Sequence, residues 1–432
     1  MSVAAGKSMR AWNVVRVQLR QPAMLVFAAN MMRSALAFLV TLVVARGLGP
    51  AEFGLFTTFV VVTTLAHNLI GEGFDPSVVR LYARNRHDDP TRLPQVLGSA
   101  IGMRALLVLP MLLLILLGGR WLAPALGDVL QLASLTAVAA SFATLSLAVL
   151  QARERFVAYA LLMPLTNALR LLFLPVLALA GALTLAPLMW THALSFALAG
   201  VLGLWLLRNE LRRARLDLAT IRELFRFGKW TALANLSFVL QINLAVPVLT
   251  LVKGAAQAGL YSAAATLLLV VDQFTAALLT VNLPSTSRIQ TAAELRAFVK
   301  RLAPRLLSVG LALCLLVPLS GQIIALAFGP AYAESATVMR VLLPGFIATL
   351  LSHPLYLVLY TSNRPHWYTG SGVVALAAWC ALAWWLIPPY GVVGAAWATT
   401  ISRVLQALLI STMVLHTLVR RPTPPPDPGR AD

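Results

Sequence analysis

Along this chain, stretches of roughly 20 apolar residues alternate with short polar segments. A transmembrane helix needs about 20 residues to cross the hydrocarbon. The pattern predicts spans near 22–45, 54–78, 94–117, 122–150, 157–180 and 184–207, then 227–252, 259–283, 303–328, 333–361, 367–388 and 391–418. Pro110, Pro164, Pro247, Pro318 and Pro344 fall inside these spans, where neighbouring helices can satisfy the backbone groups a proline frees. The expected fold is an all-α polytopic membrane protein of about 12 transmembrane helices in two pseudo-symmetric six-helix bundles. The first bundle covers 1–210 and the second 211–421, and the Pro-rich, polar stretch 422–432 reads as a disordered cytoplasmic tail.

Composition agrees with lipid as the solvent. Hydrophobic residues make up 59% of the chain and charged residues only 11%, against about 25% charged in soluble domains. The formal net charge of +19 raises nucleic acid as a partner, but the charges form no patch. They lie between apolar segments, as membrane topology requires. With the N-terminus inside, the inner segments hold 26 of the 34 Lys and Arg. That bias places both termini in the cytoplasm. Arg46, Arg120, Lys253 and Arg340 face outward, and Arg33, Arg104, Arg170 and Arg403 fall within spans. No cleavable signal peptide is expected, because the first apolar stretch lacks a small-residue cleavage site and reads as the first helix. Cys314 and Cys380 lie in apolar stretches and read as small buried hydrophobes.

The chain resembles itself at an offset of about 205–209 residues. "ARGLGPAEFGLF" is echoed by "VKGAAQAGLYSA", aligning Gly54 with Gly259, Phe56 with Tyr261 and Arg46 with Lys253. Arg80 then aligns with Arg288, Arg155 with Arg364, Trp190 with Trp397 and Ser195 with Ser402. Six spans per repeat put both halves in the membrane the same way round. Such parallel repeats are a transporter design, with the substrate site between the halves; the alternative is an old duplication that no longer moves.

Charges at membrane depth are costly and usually face a cavity or a partner. Asn30, Arg33, Ser34 and Thr41 share one helical face, as do Thr166, Asn167 and Arg170, and Thr399, Arg403 and Gln406. Arg33, Arg170 and Arg403, with Asn30, Asn167 and Gln406, are therefore candidates to bind an anionic substrate, since guanidinium forks suit phosphate oxygens. The competing reading pairs each arginine with a carboxylate or a helix end. Asp272 is the clearest acid at that depth, with Glu72 and Asp75 near the inner end of the second span. Arg104 lies nearer the inner surface and is expected to snorkel there. Asp272 and His67 occupy equivalent repeat positions and are candidates for ion coupling; otherwise Asp272 forms an Asp–Arg pair and His67 a hydrogen bond within a packed helix. Gln241 and Asn243 either line the same cavity or join helices. Trp384 and Trp385 read as an interfacial belt. There is no nucleophile motif, metal cluster or phosphate-binding glycine loop, so neither a cofactor nor a metal is expected.

"VVARGLGPAEFGLF", "GFDPSVVRLYA" and "LQARERFVAYALLMPLTNALR" resemble the bacterial polysaccharide-biosynthesis membrane proteins. These are the O-antigen and exopolysaccharide flippases of the Wzx type, in the multidrug/oligosaccharidyl-lipid/polysaccharide exporter superfamily. The resemblance implies two six-helix bundles around a cationic cavity. It implies an undecaprenyl-pyrophosphate-linked oligosaccharide as substrate, moved from the cytoplasmic to the periplasmic leaflet of the inner membrane by alternating access. Membrane lipids and a polysaccharide polymerase or export complex are the partners it implies, with no nucleic acid. A cation-coupled multidrug or metabolite exporter of the same fold is the alternative, and would carry more acids and aromatics in its cavity. An O-antigen ligase or polymerase would need a large outer loop, whereas the outer loops here are only about ten residues long. A scaffold within a synthesis complex is the last reading.

Overall fold

The computed structural model describes residues 22–122, 126–286, 292–361 and 365–420. The tail 422–432, the basic residues Lys7, Arg10, Arg16 and Arg20, and the repeat markers Arg288 and Arg364 lie outside the described residues. Every long element among the described residues is a helix. In chain order these are α1 (Pro22–Ile70), α2 (Asp75–Asp88), α3 (Leu93–Leu122), α4 (Gly127–Ala152), α5 (Phe156–Leu179), α6 (Leu185–Leu206) and α7 (Leu218–Asn243). They continue as α8 (Ala245–Lys253), α9 (Ala255–Thr286), α10 (Ala292–Cys314), α11 (Leu316–Phe328), α12 (Ser335–Thr361) and α13 (Pro365–Arg420).

Among the described residues, eight helices are long and apolar enough to cross a membrane, and ten if the bent pairs α7–α8 and α10–α11 each count as one span. The two pairs bend by 49° and 58°. The spans within α1 and α13 run for 47 and 46 residues, and each contains a glycine with non-helical backbone, Gly49 in α1 and Gly391 in α13. Each therefore holds two helices end to end, which is consistent with the expected twelve. The chain is a multi-pass membrane protein.

Contacts divide the chain into two units. The described residues up to Leu48, together with Leu55–Val239, form the first; Gly49–Gly54 and the described residues from Leu240 onward form the second. In the first unit α4 is the most enclosed helix, and small side chains allow its close packing. A β-carbon at Gly203 of α6 would sit 2.5 Å from Ser146 Cβ of α4. Around this contact Leu145, Val149 and Leu150 pack with Phe74 and Val78 of the α2 region, Leu97 of α3 and Leu162 of α5. Outward-facing Leu106, Leu161 and Leu179 remain exposed, as expected of a surface wetted by acyl chains. Cys314 and Cys380 are exposed as well. An apolar thiol facing lipid loses nothing by it, so apolar neighbours in sequence did not imply burial. Trp384 and Trp385 are also exposed.

In the second unit the buried Trp379 and Tyr261 both bond the Thr399 hydroxyl, at 3.0 and 2.9 Å. Where Gly391 interrupts α13, the Gln257 side chain accepts the freed Val392 N–H at 3.0 Å. A polar side chain thus repairs a helix break that lipid could not satisfy.

The repeat is visible in the backbone. Gly49 has φ 71° and ψ 172°, and Gly254 has φ 90° and ψ 164°. Both lie in a region open essentially to glycine, and each is followed by a new helix. Beyond each break a second glycine permits close approach. A β-carbon on Gly54 would run into the Ala255 carbonyl oxygen, and one on Gly259 into that of Pro50. The contact is reciprocal, and all its members lie in the second unit. Gly54→Ala and Gly259→Ala should each destabilise the purified protein by about 1–3 kcal/mol or more, as overpacked cores do. Gly118→Ala, at a helical site with open space around it, should leave the unfolding midpoint unchanged or slightly raised. Thermal unfolding in detergent measures all three.

Candidate functional site

A cavity of about 770 Å³ opens within the first unit. Helix α1 contributes Arg33, Thr64 and His67; the start of α2 contributes Asp75 and Arg80, with Glu72 just before it; α5 contributes Tyr159, Thr166, Asn167 and Arg170; α6 contributes His192; and α7 contributes Asn235. Helical spacing explains the convergence on α5, because Thr166, Asn167 and Arg170 lie within one turn.

Polar contacts lock the two arginine-bearing helices together. Arg33 donates to Asn30 Oδ1 at 3.1 Å. Asn167 donates to the backbone carbonyl of Arg33 at 3.1 Å, and Arg170 donates to Asn167 Oδ1 at 3.1 Å. The other end of the Arg170 guanidinium donates to His192 Nε2 at 3.2 Å, and its carbon lies 5.0 Å from the centre of the Phe196 ring. Because Nε2 accepts this bond, the neutral His192 ring carries its proton on Nδ1. His192 Nδ1 and Arg170 Nε are both buried without a hydrogen-bond partner. Buried polar groups are normally satisfied, and these two N–H donors are exceptions. Neither Arg33 nor Arg170 has a carboxylate within ion-pair distance among the described residues.

The acids in the cavity are already occupied. Asp75 is paired with Arg104, which also donates to the Ser141 carbonyl at 3.1 Å. Arg104 is 0% exposed. It does not snorkel, contrary to the expectation from its position near the span end, because a carboxylate one helix away offers a better partner than the membrane surface. His67 sits 2.7 Å from Glu72 through Nε2 and 2.9 Å from the Thr63 carbonyl through Nδ1. A carbonyl can only accept, so Nδ1 bears a proton. The Nε2–Glu72 contact then shares a second proton between imidazole and carboxyl. Taken together, the arginines of this cavity outnumber its acids.

The remaining candidates lie in the second unit. Arg403 grips Asp272 with a two-pronged fork, at 3.0 and 2.9 Å, and lies 3.8 Å over the Phe346 ring. Gln406 accepts from Gln241 Nε2 at 2.9 Å, which joins two helices. The structure therefore brings together Arg33, Asn30, Asn167, Arg170 and His67 in one unit, and Arg403, Asp272 and Gln406 in the other. Sequence reasoning missed His192, Tyr159 and Asn235 as wall residues. Thr191, His192 and Ser195 form a polar face on an otherwise apolar span, a signal that was available. Among the described residues, no group of three or more His, Cys, Asp or Glu is placed to hold a metal ion.

The sequence profile of the family described as "Polysaccharide biosynthesis protein" matches residues 19–290. A protein of Shigella flexneri named "Putative O-antigen transporter" is 24% identical over 234 residues, 51% of this chain and 56% of that protein. The match thus spans little more than half the length of that relative. Among solved structures, the lipid II flippase MurJ in an inward closed conformation has a TM-score of 0.73 at 13% identity, covering 92% of this chain and 89% of that one. An inward-facing multidrug resistance MATE family transporter of the MOP superfamily has a TM-score of 0.68 at 14% identity, covering 92% and 98%. A MOP superfamily transporter from Pyrococcus furiosus scores 0.61 at 15% identity, covering 93% and 95%. These named proteins are transporters and flippases, not enzymes, and at such identities the structures establish a shared fold.

The Arg104–Asp75 pair yields a test. Asp75→Ala would strand a buried guanidinium and should cost about 3–5 kcal/mol. The double variant D75L/R104M should recover most of that loss. Unfolding midpoints in detergent would measure both, and equal stability of D75A and wild type would deny the pair its role.

Proposed function

The chain belongs to the polysaccharide biosynthesis protein family, and we propose that it flips an undecaprenyl-pyrophosphate-linked oligosaccharide, an O-antigen or exopolysaccharide repeat unit, across the bacterial inner membrane. Movement is by alternating access, from the cytoplasmic to the periplasmic leaflet, with both chain termini in the cytoplasm. A pyrophosphate cannot cross hydrocarbon bare, because an unpaired charge there is heavily penalised. The protein must supply counter-charge at depth. One observation carries the reading: the half-buried Arg170 guanidinium has no carboxylate in ion-pair range, lies beside a histidine, and a buried N–H on each lacks a partner. Arg33 adds to the same cavity a second guanidinium with no carboxylate in ion-pair range among the described residues. Phosphate oxygens are strong acceptors for such donors. The glycan occupies the aqueous cavity while the polyprenyl tail stays in lipid.

Coupling is assigned to the paired groups. A further proton taken up by the His67–Glu72 pair would weaken its link, and one added to Asp272 would release Arg403. Each event changes the charge at a polar contact of the helices. A polysaccharide polymerase or export complex would receive the product.

The test is complementation of a flippase-deletion strain. Arg33→Ala with Arg170→Ala removes charge-assisted hydrogen bonds worth about 1.5–3 kcal/mol each, so surface polysaccharide should fall tenfold or more. Lipid-linked oligosaccharide should accumulate on the inner leaflet, and adding Arg403→Ala should deepen the defect. Undiminished export by the triple variant would overturn the assignment and favour a cation-coupled exporter of the same fold.

A further inference from the structure

A second, smaller cavity of about 360 Å³ lies between α2 and α7, lined by Ser77, Arg80, Leu81, Arg84, Glu223, Leu224, Arg226 and Phe227. Four of these, Ser77, Arg80, Leu81 and Arg84, follow the i, i+3, i+4, i+7 pattern of one α2 face. The adjoining face of α2, with Asp75, Pro76, Val79 and again Arg80, belongs to the larger cavity. Arg80 is therefore the boundary residue, and its side chain lines both spaces.

The groove carries three guanidinium groups against one carboxylate. Arg80 and Arg226 have no ion-pair partner among the described residues, and neither does Glu223. Arg84 meets Asp88 only at 3.5 Å, with both side chains about two-thirds exposed, a contact that contributes little. Arg80 rests 4.2 Å over the Phe227 ring. A guanidinium held by its face keeps its edge N–H groups free for an oxygen acceptor.

The surroundings say where the ligand comes from. The same stretch of α7 exposes Phe225 and Trp230, and Lys229 lies 5.2 Å over the Trp230 ring. Basic and aromatic residues alternating on an exposed helix mark the headgroup layer of a membrane. A floor of arginines framed by membrane-seeking aromatics suits a phosphoryl group that is attached to an acyl or prenyl chain.

We propose that the α2–α7 groove is a binding site for the phosphoryl headgroup of a membrane lipid, held by Arg80, Arg84 and Arg226. This goes beyond the transport reading and does not depend on it, because lipid binding is measured without flipping. Two lipids carry that chemistry: an anionic phospholipid and a polyprenyl pyrophosphate.

The experiment is native mass spectrometry of the full-length protein released from nanodiscs. One set contains phosphatidylglycerol in phosphatidylcholine, the other undecaprenyl pyrophosphate in phosphatidylcholine. Arg84→Gln with Arg226→Gln should reduce retention of at least one of the two lipids by tenfold or more, since each lost charge-assisted contact is worth about tenfold. The control R212Q/R213Q removes the same charge from exposed positions outside the groove and should retain lipid as wild type does. Loss confined to phosphatidylglycerol identifies a resident phospholipid; loss of undecaprenyl pyrophosphate identifies a carrier-lipid site beside the larger cavity. Wild-type retention of both lipids by R84Q/R226Q, or an equal loss in the control, overturns the proposal.

Discussion

Hydrocarbon offers no hydrogen bonds, so each polar group at membrane depth must find its partner inside the protein. This constraint organises the whole molecule. It explains why Gln257 closes the gap at Gly391 and why Arg104 reaches across to Asp75. It also makes the exceptions informative. Arg403, Arg104 and His67 each have an acidic neighbour; the first two pairs join separate helices, and His67 ties the end of its own helix to the turn that follows. Arg170 has His192, Asn167 and an aromatic face, but no anion. In a setting where unmatched charge is so unfavourable, this guanidinium without a counter-charge is the feature on which the proposed substrate contact rests.

The repeat lets the two units be compared position by position. His67 and Asp272 stand at matching places 13 residues past Gly54 and Gly259. Each faces the helix that carries the Trp190 or Trp397 marker. The His67 ring lies 6.3 Å from that of Phe196, while Asp272 grips Arg403. The same helix-to-helix contact thus carries an imidazole and an aromatic ring in one half, and a closed ion pair in the other. Positions that match in the sequence repeat thus carry different chemistry.

Much of this was legible in sequence, for identifiable reasons. Span positions follow from hydropathy because lipid imposes a length on every crossing helix. The stripe of Asn30 with Arg33 and that of Thr166, Asn167 and Arg170 follow from helical periodicity, which is fixed by backbone geometry. What escaped was partnership between distant segments. Arg104 was misplaced because its partner Asp75 lies 29 residues away on another helix. His192 was overlooked because its significance comes from an arginine 22 residues earlier. The cysteines were misjudged because, in lipid, apolar residues face outward as readily as inward. Local pattern reads elements; only the fold reads pairings.

The reciprocal approach of Gly54 and Gly259 has a consequence for how this chain varies over generations. Each glycine makes room for the carbonyl that precedes the other, through Ala255 and Pro50. A methyl group gained on one side would push the opposing strand of backbone away, and with it the second glycine. Neither position is free to drift alone. Two codons some 200 residues apart are bound to a common fate by a gap too narrow for a single carbon atom.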